Sequence, residues 1–202
     1  MTAEPDDVAR LWDAEAATFD DEPDHGLRDP AARAAWAGLL GTLLPPAPAR
    51  VADLGCGTGT LSVLLAQAGH RVDGVDLSPR MVEAAVRKAA DAGVDAVTSF
   101  RVGDAAAPLL ATGGYDVVLC RHVLWALPDP DSALTRWIRL LAPGGRLVLV
   151  EGFWHTGAGL HASDVEALVL RHRDEAAVTP LDDPALWGGQ TGDERFAVLS
   201  LS

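Results

Sequence analysis

A glycine-rich stretch and a later acidic residue are the parts of this sequence best suited to chemistry. The stretch Asp53–Gly59 reads D-L-G-C-G-T-G and lies between an apolar segment and a helix-forming one. Glycines there permit a tight turn against which a ligand can lie, and the following helix offers free N–H groups to an anion. Asp76 stands 21 positions after Gly55, where a carboxylate can accept hydrogen bonds from both hydroxyls of a ribose. The loop and the acid together predict a site for a nucleoside cofactor.

The glycine spacing distinguishes between two classes of nucleoside cofactor. A dinucleotide fingerprint is G-x-G-x-x-G, whereas Gly55, Gly57 and Gly59 give G-x-G-x-G, with Thr60 in the place of the third glycine. Asp53, just before the loop, would repel a pyrophosphate but suits a ligand with a cationic amine. S-adenosylmethionine carries such an amine and a sulfonium. The residues therefore favour S-adenosylmethionine over a nicotinamide dinucleotide.

Strand-like and helix-like segments alternate through the chain and would position this site. Apolar segments bounded by glycine, proline or polar turns predict strands at 50–54, 71–75, 97–102, 115–120, 146–150 and 195–201. Helices are predicted to begin at the caps Asp29, Ser78 and Asp129, and at a capping box from Ser163 to Glu166. The alternation predicts an α/β fold with a doubly wound, mostly parallel Rossmann-like sheet and an antiparallel C-terminal strand.

The length and the proline positions predict how the chain is divided. One domain over residues 1–202 is expected, with 1–45 as a helical N-terminal lid and 46–202 as the cofactor-binding core. The helix that starts at Pro130 is expected to run through Leu141 and to stop at Pro143-Gly144-Gly145, because proline and paired glycines interrupt helices.

Five motifs occur in an order that resembles a known family. They are Asp53-Leu54-Gly55-Cys56-Gly57-Thr58-Gly59, Gly74-Val75-Asp76-Leu77-Ser78, Gly103-Asp104-Ala105, Tyr115-Asp116-Val117-Val118 and Leu141-Ala142-Pro143-Gly144-Gly145. Their succession resembles the class I S-adenosylmethionine-dependent methyltransferases, in particular the small-molecule branch that includes ubiquinone- and menaquinone-biosynthesis enzymes. The resemblance is strong over residues 50–152 and loose elsewhere. It implies an enzyme that transfers a methyl group from S-adenosylmethionine to O, N or C of a small, partly apolar metabolite.

The resemblance also implies a role for individual residues. The cofactor-binding set is Asp53, Gly55, Cys56, Gly57, Gly59, Asp76, Leu77, Met81, Gly103, Asp104, Ala105, Arg121 and His122. The loop would hold the methionine half and Asp76 the ribose. Leu77 and Met81 would flank the adenine, and Asp104 and Ala105 would meet its amine and edge. Arg121 and His122 would lie under the sulfonium.

The acceptor is expected beside the carboxyl ends of the later strands, where ligands bind in open α/β sheets. Trp12, Phe19, Trp125 and Trp154 are the predicted substrate contacts, with core packing as the alternative for the two later tryptophans. A hydroxyl acceptor would benefit from a general base, and histidine titrates in the useful range. His122 is the first candidate base and His25 the second, although His122 can equally be a structural or cofactor-contacting residue.

Composition excludes several partners. The net charge is −13 and Lys88 is the one lysine of the chain, so no basic surface for nucleic acid is expected. No apolar run approaches the roughly 18 residues that span a bilayer, and the acidic first residues are unlike a signal peptide. These features predict a soluble, cytoplasmic protein with no metal, and they leave a homodimer open.

Two other functions stay open at the level of sequence. One is a nicotinamide-dependent oxidoreductase on a Rossmann-like fold, which the missing third glycine and Asp53 disfavour. The other is a non-catalytic module that binds S-adenosylmethionine. Both have chemically distinct tests, because the first would bind NAD(H) and the second would show no turnover.

Overall fold

A seven-stranded sheet forms the centre of the computed structural model, which describes residues 5–201. The strands are β1 Arg50–Leu54, β2 Arg71–Asp76, β3 Thr98–Val102, β4 Tyr115–Arg121, β5 Leu141–Phe153, β6 Ala177–Pro180 and β7 Glu194–Ser200. Their order is β3-β2-β1-β4-β5-β7-β6. Strands β1 to β5 pair in parallel, and β7 pairs antiparallel with both β5 and β6. The predicted doubly wound, mostly parallel sheet with an antiparallel C-terminal strand is confirmed.

The helices are α1 Pro5–Glu15, α2 Pro23–Gly26, α3 Pro30–Leu43, α4 Thr60–Gln67, α5 Pro79–Asp91, α6 Pro130–Leu140 and α7 Ala162–Val169. Three of the helices, α3, α5 and α6, begin where the sequence places a capping residue before a proline. The side chains of Asp29, Ser78 and Asp129 accept hydrogen bonds from the first turns of α3, α5 and α6, as predicted. No helix in residues 5–201 is both long enough and apolar enough to cross a membrane.

Apolar side chains of the sheet form a core on each of its two faces. In β4, Val117 packs in the same cluster as Trp36 of α3, whereas Val118 packs in the cluster that contains Trp137 of α6. This alternation follows from the two-residue repeat of a strand. Because helices cover both faces, a ligand reaches the sheet at the ends of its strands.

Residues 5–28, called here the N-terminal segment, contact the rest of the molecule through three carboxylates as well as through the buried side chain of Leu27. The carboxylate contacts pair Asp13 with the Ser78 hydroxyl at 2.5 Å, Asp20 with the Lys88 ammonium at 2.7 Å, and Asp24 with the Arg121 guanidinium. Each partner belongs to the core side of the molecule. The assignment of residues 1–45 as a lid and of 1–202 as one domain stays a prediction, and residues 1–4 lie outside the described residues.

Strand β5 differs from its prediction. Helix α6 ends at Leu140, and β5 begins at Leu141 and runs through Pro143-Gly144-Gly145 rather than starting at Arg146. Leu141 pairs with Tyr115 of β4, and the register then shifts before Val117. Residues 142–145 between these pairs have no partner on β4, and Gly144 has φ +76°, so the glycines form an irregularity inside a longer strand instead of a separate turn.

Helix α7 begins differently from its prediction. Its N-terminal cap is His161, so Ser163 lies inside the helix and makes no cap hydrogen bond. The carboxylate of Glu194, in β7, accepts the N–H of Ala162 at 3.0 Å instead. The predicted capping box is wrong because a residue from a distant strand satisfies the helix end.

Candidate active site

A cavity of about 250 Å³ lies at the carboxyl ends of β1, β2 and β4. It is lined by Val8, Trp12, Phe19, His25, Asp53, Gly55, Cys56, Gly57, Thr58, Thr60, Leu61, Asp76, Leu77, Met81, Asp104, Ala105, Arg121, His122, Val123, Trp125, Ala126 and Leu127. The cavity thus brings together most residues that the sequence selects. Gly59, Gly103 and Trp154 are the selected residues that do not line it.

The glycine loop packs closely against β2, Val123 and α5. The N–H groups of Gly55 and Cys56 both donate to the carbonyl of Val75 in β2, at 2.8 and 3.0 Å. Gly55 has φ +75°, and a Cβ there would lie 2.2 Å from a methyl carbon of Val123. Gly59 has φ +76°, and a Cβ there would lie 2.8 Å from Ala85 in α5. Glycine is required at both places by conformation and by space, and the role of Gly59 is to let the loop pack on α5.

Asp53 is a buried acid near the carboxyl end of β1. Its side chain is 3% exposed, and the hydroxyl of Ser62 donates to its Oδ2 at 2.5 Å. Burial raises the pKa of Asp53 to about 6, against the lowering effect of the Ser62 hydrogen bond, and the nearby charge of Asp76 adds to the rise. A cation in the cavity would stabilise the ionised form of this carboxyl.

Asp76 closes the glycine loop from the end of β2. Its Oδ2 accepts the N–H of Gly57 at 2.8 Å, and its Oδ1 accepts the N–H of Ser78 at 2.9 Å. Each oxygen keeps a second lone pair for a ligand. Burial raises the pKa of Asp76, and the backbone hydrogen bonds act in the opposite direction. Leu77 and Met81 line the cavity beside it.

The predicted adenine-side residues lie after β3. Asp104 and Ala105 line the cavity, and Asp104 accepts the N–H of Ala106 at 2.8 Å. Gly103 stands behind them and donates its N–H to the carbonyl of Asp76 at 2.9 Å. The structure therefore gives Gly103 a place in holding β3 against β2, away from the cavity surface.

Arg121 ends β4 and joins it to α2. Its guanidinium donates to the carbonyl oxygen of Asp24 at 2.7 Å, pairs with the carboxylate of the same residue, and lies 4.4 Å over the ring of Trp36. Burial lowers the pKa of Arg121 to about 10, so the group stays charged at neutral pH. The charge is matched by Asp24, a residue that the sequence does not single out.

His122 follows with a left-handed backbone, φ 57°. Its ring packs against Trp154 and Trp187, at centroid distances of 5.2 and 6.1 Å. Burial, followed by the charges of Arg121 and Arg195, lowers the pKa of His122 well below its usual value. Its Nε2 is buried and has no hydrogen-bond partner in residues 5–201. These surroundings make His122 a poor proton acceptor.

The second candidate base, His25, lies in surroundings that differ from those of His122. Its Nδ1 lies 3.2 Å from the carbonyl oxygen of Phe19, and a carbonyl oxygen can only accept. The proton therefore sits on Nδ1, and Nε2 carries the lone pair. Burial lowers the pKa of His25, while Asp24 acts in the opposite direction. The ring stacks on Phe19 at 4.1 Å and lines the cavity.

Aromatic side chains form the wall opposite the glycine loop. Trp12, Phe19 and Trp125 line the cavity, and the first two meet edge to face with 6.3 Å between ring centroids. Trp154 packs against Trp125 at 5.3 Å and does not line the cavity, so it supports the wall from behind. In the described part of the chain, no group of three or more His, Cys, Asp or Glu side chains could hold a metal ion.

Comparison with known proteins bears on this arrangement. Residues 52–149 match the family model described as a methyltransferase domain. The ubiquinone biosynthesis O-methyltransferase of Xanthomonas axonopodis pv. citri (strain 306) is 39% identical over 109 residues, which are 52% of this chain and 44% of that protein. The enzyme of the same name from Bordetella avium (strain 197N) is 36% identical over 143 residues, 68% of this chain and 54% of that protein.

Residues 52–149 of this chain form a methyltransferase domain. The resemblance inferred from the five ordered motifs is confirmed. The chain spans about half the length of the curated relatives that it matches.

Solved structures share the fold of this methyltransferase domain. Geranyl diphosphate C-methyltransferase from Streptomyces coelicolor A3(2), in complex with Mg²⁺, geranyl diphosphate and S-adenosyl-L-homocysteine, superposes with a TM-score of 0.75 at 18% identity. That match covers 98% of this chain and 97% of the other. The [4+2]-cyclase SpnF superposes with a TM-score of 0.72 at 16% identity, covering 83% and 80%. At these identities the likeness concerns the fold alone.

Several lining residues of the methyltransferase domain escape sequence reasoning. Thr58 and Thr60 follow the loop glycines, and the Lys88 ammonium donates to both hydroxyls at 2.9 and 2.5 Å. Val8, Leu61, Val123, Ala126 and Leu127 complete the apolar surface. Ordinary apolar side chains carry no chemical signal, so only their position next to Trp12 and Trp125 identifies them.

Proposed function

We propose that this protein transfers a methyl group from S-adenosylmethionine to a small, partly apolar acceptor. The observation that carries the proposal is the cavity itself. Two buried carboxylates, Asp53 and Asp76, flank the glycine loop on one side, and uncharged aromatic groups form the other side. The relatives named above are methyltransferases, and the two halves of the cavity suit a cationic nucleoside and an apolar acceptor.

The residues fit this cofactor by charge. Both carboxylates have a pKa raised by burial, so a positive ligand beside them would be stabilised and would favour their ionised forms. In the proposal Asp53 holds the amine and Asp76 the ribose hydroxyls. Leu77 and Met81 pack on the adenine, and Asp104 lies near its amine. When bound, S-adenosylmethionine supplies a methyl carbon that an acceptor atom attacks in line with the departing sulfur.

The same charges argue against a nicotinamide dinucleotide. A pyrophosphate beside the glycine loop would stand near both buried carboxylates, and like charges repel strongly where water is excluded. The spacing of the glycines agrees with this reading. A non-catalytic module is disfavoured because a built apolar wall and a histidine face the cofactor side.

The acceptor side supports a hydroxyl as the group that is methylated. His25 lines the cavity with its lone pair on Nε2 and a lowered pKa, so it is neutral at pH 7 and can receive a proton. His122 is buried with a far lower pKa and serves better as part of the wall. We therefore place His25 before His122 as general base. A cytoplasmic location and a homodimer remain predictions.

Two measurements test this function. Calorimetry with S-adenosylhomocysteine and with NADH should give binding of the former and none of the latter. A panel of phenols and isoprenoid alcohols, incubated with methyl-labelled S-adenosylmethionine, should yield labelled product. Binding of NADH without S-adenosylhomocysteine would overturn the proposal, and cofactor binding without label transfer to any acceptor would favour the module.

The role of His25 has its own test with a matched control. Replacing His25 by Ala should lower turnover of a hydroxyl acceptor by about 10²- to 10⁴-fold, the usual contribution of a general base, with affinity for S-adenosylhomocysteine nearly unchanged. Wild-type turnover should fall only as the pH drops through the lowered pKa of His25, which lies below the ordinary histidine range because of burial, since protonated imidazole cannot accept a proton. A larger loss in His122→Ala than in His25→Ala would reverse this assignment.

A further inference from the structure

Glu151 is a buried acid that the proposed reaction does not use. It lies in β5 with 0% exposure and does not line the cavity. Its Oε1 accepts two hydrogen bonds, from the N–H of Val123 at 3.1 Å and from the N–H of Leu124 at 2.8 Å. Its Oε2 is buried with no hydrogen-bond partner in residues 5–201. A carboxyl in such a place is costly unless it holds something in position.

The two N–H groups belong to the segment that supplies one wall of the cavity. Residues 122–127, called here the 122–127 turn, contribute His122, Val123, Trp125, Ala126 and Leu127 to the lining. The turn also touches the cofactor side, because Val123 stands where a Cβ on Gly55 would be. A shift of this turn would therefore move the aromatic wall and the glycine loop together.

The rings of His122 and Trp125 and the buried side chain of Leu124 pack against the core, but few other hydrogen bonds join the turn to the sheet. The N–H of His122 donates to the carbonyl of Val150 at 2.9 Å, and the following backbone hydrogen bonds stay within the turn, from Ala126 to Val123 and from Leu127 to Leu124. The indole of Trp125 donates to the carbonyl of His122, again within the turn. Across residues 5–201, Glu151 is the one side chain that accepts hydrogen bonds from its backbone.

From this geometry we infer that Glu151 is a positioning residue that sets the place of the 122–127 turn, and through it the acceptor wall and the glycine loop. The acid acts in its neutral form. Burial raises the pKa of Glu151 to about 8, against the two backbone hydrogen bonds and the charge of Arg121. A neutral carboxyl with one accepting oxygen has the same shape as the amide of glutamine. The inference rests on the proposed function for its link to ligand binding.

The test compares two substitutions of nearly equal size. Glu151→Gln keeps the accepting oxygen, whereas Glu151→Met removes it and keeps the bulk. Hydrogen exchange is measured by mass spectrometry on peptides that cover 121–128, with a peptide over β1 as the internal reference. In Glu151→Met, exchange in 121–128 should rise by about tenfold or more, while the reference peptide is unchanged. In Glu151→Gln both peptides should exchange as in the wild type.

Affinity for S-adenosylhomocysteine gives a second readout that a merely structural residue would not produce. It should fall several-fold in Glu151→Met and return in Glu151→Gln. Should Glu151→Met not fold, Glu151→Asp replaces it, because the shorter side chain draws the oxygen away from the turn and should speed exchange in the same peptides.

The outcomes separate this inference from the proposed function. Unchanged exchange in 121–128 in both Glu151→Met and Glu151→Asp overturns it, as does a Glu151→Gln variant that exchanges like Glu151→Met. If the wild type does not bind S-adenosylhomocysteine, the proposed function fails, and the exchange measurements still decide whether Glu151 holds the turn.

Discussion

The two sides of the cavity are built by different means. The cofactor side consists of strand ends and a glycine loop whose N–H groups bond to the neighbouring strand, at Gly55 and Cys56. The N-terminal segment contacts the core through Asp13, Asp20 and Asp24, besides the packing of Leu27. Of these three carboxylate contacts, the Asp20–Lys88 ion pair is partly exposed and is therefore screened by salt, whereas Asp24–Arg121 is more deeply buried and Asp13 bonds to a neutral hydroxyl. We therefore predict that the cofactor side keeps its shape and that the N-terminal side is the one that opens.

This division suits a protein that must admit and release two ligands. Segments that open locally are drawn from the less stable parts of a fold. A rigid cofactor side keeps the reacting groups aligned, and a charge-held segment can move without unfolding the sheet.

Gly55→Ala should damage the cofactor side most. A left-handed backbone costs an alanine about 1–2 kcal/mol, and the clash with Val123 adds roughly 1–3 kcal/mol. Both terms lower the free energy of unfolding, and the shift of the loop that relieves them should weaken binding of S-adenosylhomocysteine, measured by calorimetry. Gly113→Ala is the matched control, since its φ is +67° with nothing within 4 Å, and it should leave affinity unchanged.

The source of the Gly55 effect can be separated within the same series. Adding Val123→Ala to Gly55→Ala removes the methyl groups that the new Cβ meets. Part of the lost affinity should then return. If the double variant is no better than Gly55→Ala, the space beside the loop is not what requires a glycine.

Asp76→Ala should weaken binding of S-adenosylhomocysteine by about 1–3 kcal/mol, because hydrogen bonds from the ribose to a charged acceptor are lost. That range corresponds to roughly 5- to 150-fold in the dissociation constant. Asp95→Ala, an exposed acid after α5, serves as control. Equal affinities for the two variants would remove Asp76 from the site.

The raised pKa of Asp53 predicts a pH dependence of binding. The carboxyl ionises at about 6 rather than near 3.8, and its ionised form is the one that attracts a cationic amine. Affinity for S-adenosylmethionine should therefore be constant above pH 7 and fall by up to about tenfold per unit below pH 6. Asp53→Asn should bind more weakly at pH 7 and lose this dependence. A wild-type affinity that is flat from pH 7 to 5 would contradict it.

Lys88→Met should have the smallest effect, and it concerns the N-terminal segment. The Lys88–Asp20 pair is partly exposed, so its removal is expected to cost about 0.2–1 kcal/mol. Dissociation of S-adenosylhomocysteine, followed by stopped flow, should be up to about fivefold faster. Salt should speed dissociation from the wild type more than from the variant. Arg87→Met is the control, because Arg87 directly precedes Lys88 and forms an exposed ion pair with Glu83. This variant should release the ligand as fast as the wild type.

Sequence reasoning succeeded where the signal is local. The glycine loop, Asp76 and the caps at Asp29, Ser78 and Asp129 lie within a few residues of what they act on, so spacing alone predicts them. The order of strands also follows, because alternating strands and helices allow few topologies. The residues on the cofactor side of the cavity could in this sense be predicted from the sequence.

The missed features depend on contacts between distant residues. Glu194 caps α7 from β7, Asp24 pairs with Arg121 across 97 positions, and Glu151 bonds to Leu124 from the neighbouring strand. A polar residue that meets its partner through the fold leaves no periodic pattern in the sequence. The order that we propose for the two histidines depends on contacts of the same kind, since burial of His122 and the Phe19 carbonyl beside His25 are tertiary facts.

Lys88 has a consequence beyond the site. It is the one lysine in the sequence, and its amine is held between Asp20 and two threonine hydroxyls. Amine-directed reagents such as succinimidyl esters therefore have a single side-chain target, shielded while residues 5–28 are docked. The rate of acylation of Lys88 should therefore report how often residues 5–28 separate from the core. A bound nucleoside should slow this acylation.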